Sequence, residues 1–217
     1  MAPAQLPFLT QQAGLIFRIT HIRNIPWILD HGLHCSSSST QDPHFKGIGN
    51  PELIQKRAHR VVPVQPGGTL GDYVPFYFTP CSPMLFNIKT GWGGMTTTPM
   101  PDIAIIVTSV RRVITNGLTL LIADRHAYLQ AANFSPDPRA LAGLDWSRLQ
   151  AVDFRRRPDD PERFERYQAE ALVYRRLPTD AIECLVCYGT RQLTQLREAV
   201  TERGLDLDLQ VHPDWYF

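Results

Sequence analysis

The segment Arg166-Tyr-Gln-Ala-Glu-Ala-Leu-Val-Tyr174 is the most informative stretch of this sequence. It places one carboxylate, Glu170, at the start of a short apolar run that is typical of a strand. Far upstream, the Gly-rich turn Gly67–Asp72 leads into a second strand, Tyr73–Thr79, which is rich in aromatic residues. These two segments predict sheets that are built from short strands.

Apolar runs and helix signals alternate along the rest of the chain. Leu15–Thr20 is β-branched and aromatic, as a strand requires, whereas Asn24–Gly32 starts with Asn, has an early Pro and ends with Gly, which predicts a helix. Asn50–Arg57 has the same start signals, and a long helix is predicted at Thr190–Arg203, ending at Gly204. Further strands are predicted at Val61–Val64, Ile103–Ser109, Thr119–Ala123, Ala171–Tyr174, Ile182–Tyr188 and Leu207–Val211.

This order of elements favours an α+β fold in one domain spanning residues 1–217. Strands outnumber helices and no regular βαβ alternation is found, so a doubly wound sheet is not expected. The sequence has no Rossmann glycine pattern, since Gly91–Gly94 follows no convincing strand and opens no helix. The stretch Cys35–Gly49, with four consecutive serines, predicts a loop. A chain of 217 residues with 43% hydrophobic residues can bury one substantial core.

Charge and cysteine content restrict the function without naming it. The net charge of +1 means that no overall field recruits nucleic acid, so any phosphate contact must be local. The basic residues are 19 Arg and three Lys, and Arg suits bidentate phosphate contacts, although a GC-rich genome would produce the same bias. The four cysteines do not resemble a disulfide framework, and Cys184–Cys187 lies in a predicted strand without a second ligand pair, so no metal site is expected.

The same features predict a soluble, cytoplasmic protein that does not associate with membranes. The segment Met1–Gly14 has neither a basic start nor an unbroken apolar core, so it does not resemble a signal peptide. No later stretch approaches the ~20 apolar residues of a membrane span.

Together with Arg18-Ile-Thr-His-Ile22, the segments around Gly67–Leu85 and Glu170 resemble the DarT family of bacterial toxins, which ADP-ribosylate bases in single-stranded DNA. The resemblance extends roughly from Ile16 to Phe217. It implies the fold of the ADP-ribosyltransferase superfamily, in which two small, mostly antiparallel sheets with flanking helices form a cleft for NAD. It also implies three interaction partners: NAD as co-substrate, single-stranded DNA with thymine as the modified base, and a macrodomain antitoxin that resembles DarG and removes the modification.

The resemblance implies that Glu170 is catalytic. Cleavage of the nicotinamide–ribose bond builds positive charge on the ribose, and a carboxylate that hydrogen-bonds a ribose hydroxyl stabilises that charge. The same carboxylate can accept the proton of the attacking base nitrogen. The alternative interpretation of Glu170 is a solvated residue at the edge of a strand.

Other positions correspond to NAD contacts of the family. His21 matches the first signature position, which orients the adenosine-side ribose, and Asn24 is a further predicted contact. Tyr77 matches the aromatic residue of the second position, against which the nicotinamide end stacks, although Phe76 and Phe78 compete for this role. Each of these residues could equally belong to the core.

Two arginines and a glycine near the second helix complete the predicted NAD site. Arg57, in the last helical turn, is predicted to bind the NAD pyrophosphate or to act on the developing charge, so it counts as a catalytic residue too. Arg60 lies on the same helix and is equally interpreted as an exposed arginine. Gly49 is predicted to allow a close approach of the backbone to NAD, or to form a simple turn.

The charged stretch before Glu170 resembles the substrate-recognition loop of the superfamily. DNA contacts are predicted at Arg155, Arg156, Arg163, Arg166 and Tyr167. Four carboxylates interrupt these arginines, which favours selective contacts with a short single strand over tight nonspecific binding.

One position departs from the family pattern. The resemblance implies a basic residue within Phe78–Met84, where this chain has Cys81. The departure predicts the loss of a DNA phosphate contact or of a salt bridge.

Two other functions agree with the same residues. One is a module that binds single-stranded nucleic acid and transfers nothing. The other is an RNA-directed transferase or a bare NAD glycohydrolase.

Overall fold

The computed structural model describes residues 5–217, so Met1–Ala4, on which the localisation prediction partly depends, lie outside the described part. The strands are Leu15–His21 (β1), Leu33–His34 (β2), Tyr73–Tyr77 (β3), Ile103–Ser109 (β4), Leu120–Ala123 (β5), Phe134–Ser135 (β6), Glu170–Tyr174 (β7), Arg176–Leu177 (β8), Cys184–Cys187 (β9) and Asp208–Val211 (β10). The helices are Ile25–His31 (α1), Pro51–Ala58 (α2), Pro83–Thr90 (α3), Val110–Thr115 (α4), Trp146–Gln150 (α5), Arg163–Tyr167 (α6) and Thr190–Thr201 (α7).

The sheet consists of two halves of four strands each. Its strand order is β10-β9-β4-β1-β3-β7-β5-β6, and β2 pairs separately with β8. Within the halves the pairs are antiparallel, apart from the parallel pair β9–β10. Strands β1 and β3 join the halves through a single residue pair, Phe17 and Tyr77. The α+β class and the two small, mostly antiparallel sheets predicted from the sequence are therefore confirmed as two halves of one sheet.

Pro75 accounts for the narrow connection between the halves. Its carbonyl accepts a hydrogen bond from Arg18 Nη1 of β1 at 2.9 Å. The nitrogen and the carbonyl of one strand residue point to the same side of the strand, so the N–H that proline lacks would also face β1. A regular ladder between β1 and β3 cannot continue at this point, and the arginine side chain takes its place.

The core lies on both sides of β4, in which all seven residues are buried. Strand β4 pairs with β1 along its full length and with β9 on its other side. The chain-terminal Trp215 and Tyr216 are buried in the same cluster, where the Tyr216 hydroxyl donates to the carbonyls of Ile103 and Val186. This half of the sheet is the rigid support behind β1.

One predicted strand and one predicted loop are wrong. Val61–Val64 forms no strand, only an isolated bridge between Val61 and Thr69. Pro63 and Pro66 have no backbone N–H, so a continuous series of ladder hydrogen bonds cannot form here. The segment Arg155–Tyr167, predicted as a loop, ends in helix α6, which begins after Glu162.

The other predicted helices and strands are found with shifts of a few residues at their ends, whereas the structure adds the short elements β2, β6, β8, α3, α4 and α5. The predicted loop Cys35–Gly49 contains no helix or strand. No helix among the described residues is long and apolar enough to cross a membrane. Cys35, Cys81, Cys184 and Cys187 are all buried free thiols.

We expect substitution at the centre of β4 to test this support directly. Ile105 is fully buried between Ile19 and Val186, so Ile105→Ala leaves a cavity and should lower the free energy of unfolding by about 2–5 kcal/mol. The matched control is Ile114→Ala on the exposed side of α4, which should change it by no more than about 0.5 kcal/mol. Equal losses of unfolding free energy in the two variants, measured by chemical denaturation, would contradict the assignment of the core.

Candidate active site

A cleft of about 290 Å³ opens where the two halves of the sheet diverge. Its walls come from β1, the loop before α2, α2, β3, α3, the segment after β5 and the start of β7. Glu170 and Arg57 lie in this cleft together with Arg18, Tyr77 and His126. The structure thus brings together residues that are up to 152 positions apart in the sequence, between Arg18 and Glu170.

Glu170 and Arg57 form a buried, bidentate ion pair. Arg57 Nη1 donates to Oε1 at 2.9 Å and Nη2 donates to Oε2 at 2.7 Å. The backbone N–H of Ala127 also donates to Oε1, at 3.0 Å. The side chains are only 2% and 13% exposed, respectively. Burial alone would raise the pKa of Glu170, but the charge and hydrogen bonds of Arg57, with the Ala127 N–H, hold this pKa below its ordinary value.

Local sequence explains why the two partners meet. The Asn50 side chain accepts a hydrogen bond from the Leu53 N–H and Pro51 follows it, so α2 begins at a defined residue and carries Arg57 in its last turn. Glu170 is the first residue of β7, where it is paired with Tyr77 of β3 and Ala123 of β5. Two neighbouring strands therefore hold the carboxylate at the open end of the second half of the sheet.

His126 is a site residue that the sequence reasoning missed. Its Nδ1 lies 3.7 Å from Glu170 Oε1, which would be an ion pair if the ring were protonated. Burial lowers the pKa of His126, however, and Nδ1 accepts the Tyr128 N–H at 3.2 Å. We therefore assign a neutral ring with its proton on Nε2. The sequence does place His126 three residues after β5, but this position becomes informative only once β5 is known to pair with β7.

Arg18 was also missed, and it gives the cleft a surplus of positive charge. Burial, and then the neighbouring charge of Arg57, lowers the pKa of Arg18 to about 10. Its Nε is buried without a hydrogen-bond partner, and no carboxylate in residues 5–217 forms an ion pair with it. The cleft thus contains two guanidinium groups and one carboxylate, Glu170, which pairs with Arg57. A surplus of this kind fits the diphosphate of NAD, for which arginine is the preferred partner.

Aromatic residues surround the polar centre. Tyr77 lies in the cleft beside Glu170, whereas Phe78 is fully buried in the core on the other face of the chain, as strand alternation requires. Phe76 reaches the lining but is only 1% exposed. At the rim, Phe45 and Trp92 are 51% and 72% exposed, and Trp92 was not singled out from the sequence.

Comparisons with known proteins agree with this geometry. A family model described as "ssDNA thymidine ADP-ribosyltransferase, DarT" matches residues 17–217. The chain is 47% identical over 209 residues to a DNA ADP-ribosyl transferase of Escherichia coli O127:H6, covering 96% of each. It is 36% identical to a protein of the same description from Thermus sp. (strain 2.9), covering 93% of this chain and 95% of that protein.

The structure resembles Thermus sp. 2.9 DarT in complex with ADP-ribosylated ssDNA, with a TM-score of 0.87 and 31% identity over 100% of each chain. It also resembles Thermus sp. 2.9 DarT in complex with NAD+, with a TM-score of 0.82 and 32% identity over 95% of this chain and 98% of that one. The chain belongs to the DarT family. It is therefore an NAD-dependent DNA ADP-ribosyltransferase, with NAD as co-substrate.

Three of the DarT positions predicted for NAD lie around the first helix and the loop before α2. His21 is buried at the end of β1, where its Nδ1 accepts the Arg23 N–H, and it is not part of the lining described above. Asn24 is also buried, and its amide bonds both the N–H (2.8 Å) and the carbonyl (3.0 Å) of Lys46, so it positions the loop. Gly49 lines the cleft, and a Cβ there would lie 3.0 Å from Ile54 Cδ1.

The DNA contacts predicted at Arg163 and Tyr167 stay predictions, and both side chains are buried in this structure. The Arg163 guanidinium bonds the carboxylate of Asp153. The Tyr167 hydroxyl donates to the Cys81 carbonyl at 3.0 Å, so the ring offers no stacking surface to a base. Helix α6 explains the burial, since residues four apart face the same side of a helix.

Arg155, Arg156 and Arg166 remain at the surface, but each is paired with a carboxylate. Arg156 bonds Glu165 at 2.9 Å, and Arg166 bonds Asp160 at 2.7 and 2.8 Å. Arg155 Nε lies 3.2 Å from Asp153. These pairs neutralise the charge that the sequence suggested for DNA.

Cys81 is buried and cannot contact DNA in this structure. The thiol is fully buried, its Sγ lies 3.4 Å from the Trp215 carbonyl, and burial raises its pKa to about 12. The departure from the family pattern is therefore accommodated in the core. Among the described residues, no group of three or more His, Cys, Asp or Glu is placed to hold a metal ion.

Arg57→Gln is expected to shift the acid limb of the pH–rate profile to higher pH. In the wild type the pKa of Glu170 is held below its ordinary value, so loss of activity through its protonation is confined to acidic pH. Without the cation, burial dominates and the pKa of Glu170 rises, so activity is low at neutral pH and recovers as the pH increases. Arg57→Lys keeps the positive charge, so the acid limb should stay at the low pH of the wild type. An unchanged limb in Arg57→Gln would contradict the proposed coupling.

Tyr167→Phe tests the corrected role of Tyr167. The change leaves the buried Cys81 carbonyl without its donor, and we expect the free energy of unfolding to fall by about 1–3 kcal/mol. Tyr188→Phe, at a more exposed ring, should alter it by less than about 0.5 kcal/mol. Binding of an oligonucleotide should be the same in both variants. A selective loss of DNA binding in Tyr167→Phe would restore the original prediction.

Proposed function

We propose that this protein, as a single ADP-ribosyltransferase domain spanning residues 1–217, transfers ADP-ribose from NAD to a thymine base in single-stranded DNA and releases nicotinamide. The bond that breaks joins nicotinamide to C1′ of the ribose, and the bond that forms joins C1′ to a ring nitrogen of the base. The nitrogen loses one proton in the process. The observation that carries the proposal is the buried, ionised Glu170 held by Arg57 at the end of the cleft.

Glu170 fits the electrostatic demands of this reaction. Positive charge develops on the ribose as nicotinamide leaves, and a desolvated carboxylate stabilises that charge more strongly than an exposed one would. The carboxylate is also the acceptor that we propose for the proton of the attacking nitrogen. Arg57 and the Ala127 N–H fix its orientation before the reaction begins, so little reorganisation is needed in the transition state.

The remaining lining residues fit the two substrates. We assign Arg18 to the pyrophosphate side of NAD because its charge has no carboxylate partner among the described residues, whereas Arg57 is bound to Glu170. Tyr77 lies where the nicotinamide end can stack, next to Glu170. The exposed rings of Phe45 and Trp92 at the rim suit a nucleobase that enters the cleft. We assign supporting positions to three further residues. Gly49 lines the cleft, and the buried residues His21 and Asn24 lie outside its lining.

We further propose that the enzyme is the toxin of a toxin–antitoxin pair and acts in the cytoplasm. Membership of the DarT family supports a macrodomain antitoxin that resembles DarG as its partner. A base modified on its pairing edge blocks replication, which explains why such an activity requires an antagonist. Growth arrest on expression, relieved by a macrodomain hydrolase, is the corresponding cellular result.

The alternatives remain distinguishable by their products. A binding module without transfer would release no nicotinamide and would add no ADP-ribose to an oligonucleotide. An RNA-directed transferase would label RNA, and a bare glycohydrolase would form free ADP-ribose without labelling either nucleic acid.

The experiment combines labelled NAD with matched DNA and RNA oligonucleotides that contain one thymine or uracil, and with a DNA control in which cytosine replaces the thymine. Mass spectrometry should find one added ADP-ribose on the thymine DNA alone. Glu170→Gln should lower the rate by ~10²–10³ because the transition state loses its carboxylate, whereas Glu198→Gln on exposed α7 should not. Transfer by Glu170→Gln at the wild-type rate would refute the assignment.

A further inference from the structure

A second groove of about 360 Å³ lies on the outer side of α2, and we call it the α2 groove. It is lined by Lys56, His59, Arg60, Tyr128, Leu129 and Gln130. Three of these residues are basic by type and none is acidic. Its two sides come from the end of α2 and from the segment after β5.

The α2 groove and the active-site cleft share the same two chain segments. Arg57 enters the cleft and binds Glu170, while its neighbour Lys56 lines the groove. On the other segment, His126 lines the cleft and Tyr128 lines the groove. Adjacent parts of the same two segments therefore line the groove and the cleft that holds Glu170.

Arg60 is held across the α2 groove without a carboxylate partner. Its Nη2 donates to the Leu129 carbonyl at 3.3 Å, and its Nε is buried with no hydrogen-bond partner among the described residues. The arginines of the predicted recognition segment differ in this respect, since each of Arg155–Arg157, Arg163 and Arg166 lies beside a carboxylate. Arg60 of the groove is thus basic without a carboxylate partner among the described residues, unlike the arginines of that segment.

We propose that the α2 groove binds the phosphodiester backbone of the single strand next to the base that enters the cleft. The inference rests on the proposed function, because the target base is covalently attached to this backbone and must cross the rim of the cleft. Phosphates suit Lys56 and Arg60, and the Tyr128 ring provides apolar surface for a neighbouring base. Contacts of this kind position the strand without selecting its sequence.

Glu52 weakens the charge of this groove and offers a test in the opposite direction. It forms an i,i+4 ion pair with Lys56, and both side chains are largely exposed. A phosphate that reaches Lys56 must compete with Glu52. Removal of Glu52 should therefore strengthen binding, whereas removal of Lys56 should weaken it.

The test measures binding of a fluorescent thymine-containing DNA oligonucleotide to the full chain across a salt series, without NAD. For Lys56→Gln the slope of log K against log salt should become shallower by about 0.7, the value for one phosphate contact with a single strand. Glu52→Gln should make the slope steeper, and both effects should be the same for oligonucleotides of different sequence. The control is Arg197→Gln, which should leave the slope unchanged. Arg197 is exposed on α7, a helix that packs on the β9–β10 edge of the sheet.

Two results would overturn the inference. Equal changes in Lys56→Gln and Arg197→Gln would show that the protein responds only to its total charge. Unchanged slopes in Lys56→Gln and Glu52→Gln would show that the strand runs elsewhere. Because NAD is absent from this binding measurement, a wild-type protein that adds no ADP-ribose to the thymine DNA would refute the proposed function and leave the measurement valid, so the two failures are distinguishable.

Discussion

The buried ion pair between Glu170 and Arg57 is the interaction on which the active site depends. A carboxylate that is 2% exposed would normally take up a proton, and the bidentate arginine, with the Ala127 N–H, keeps it ionised. Loss of the arginine would leave an uncompensated buried group, a defect that typically costs about 3–5 kcal/mol. The same pair therefore orders the site and maintains the charge that the chemistry requires.

The architecture places this pair at the boundary between two half-sheets. A fully paired eight-stranded sheet would have no cleft at this point. Pro75 and the Arg18 side chain interrupt the ladder between β1 and β3, so the halves diverge and create space for a ligand. Burial of Arg18 beside Arg57 then leaves positive charge directed at that space. The feature that weakens the sheet is thus the one that produces the substrate cleft.

The arginines of this chain divide into two groups by their partners. Those of the segment before β7 neutralise nearby carboxylates and stabilise the packing of α6, as Arg163 does with Asp153. Those around the cleft and the α2 groove have few or no acidic partners, as Arg18 and Arg60 show. A net charge of +1 can therefore coexist with local binding of a polyanion.

The sequence alone determined the α+β class, most strands, the start of α2 and the position of Glu170 at the head of β7, because hydrophobic periodicity and helix caps are local properties. It also contained the motifs that resemble the DarT family. Only the tertiary structure decided which charged groups lack a partner. Strand pairing places His126 and Arg18 in the cleft, and the packing of α6 buries Tyr167. Burial and ion pairing depend on residues distant in sequence, so a list of charges along the chain cannot reveal them.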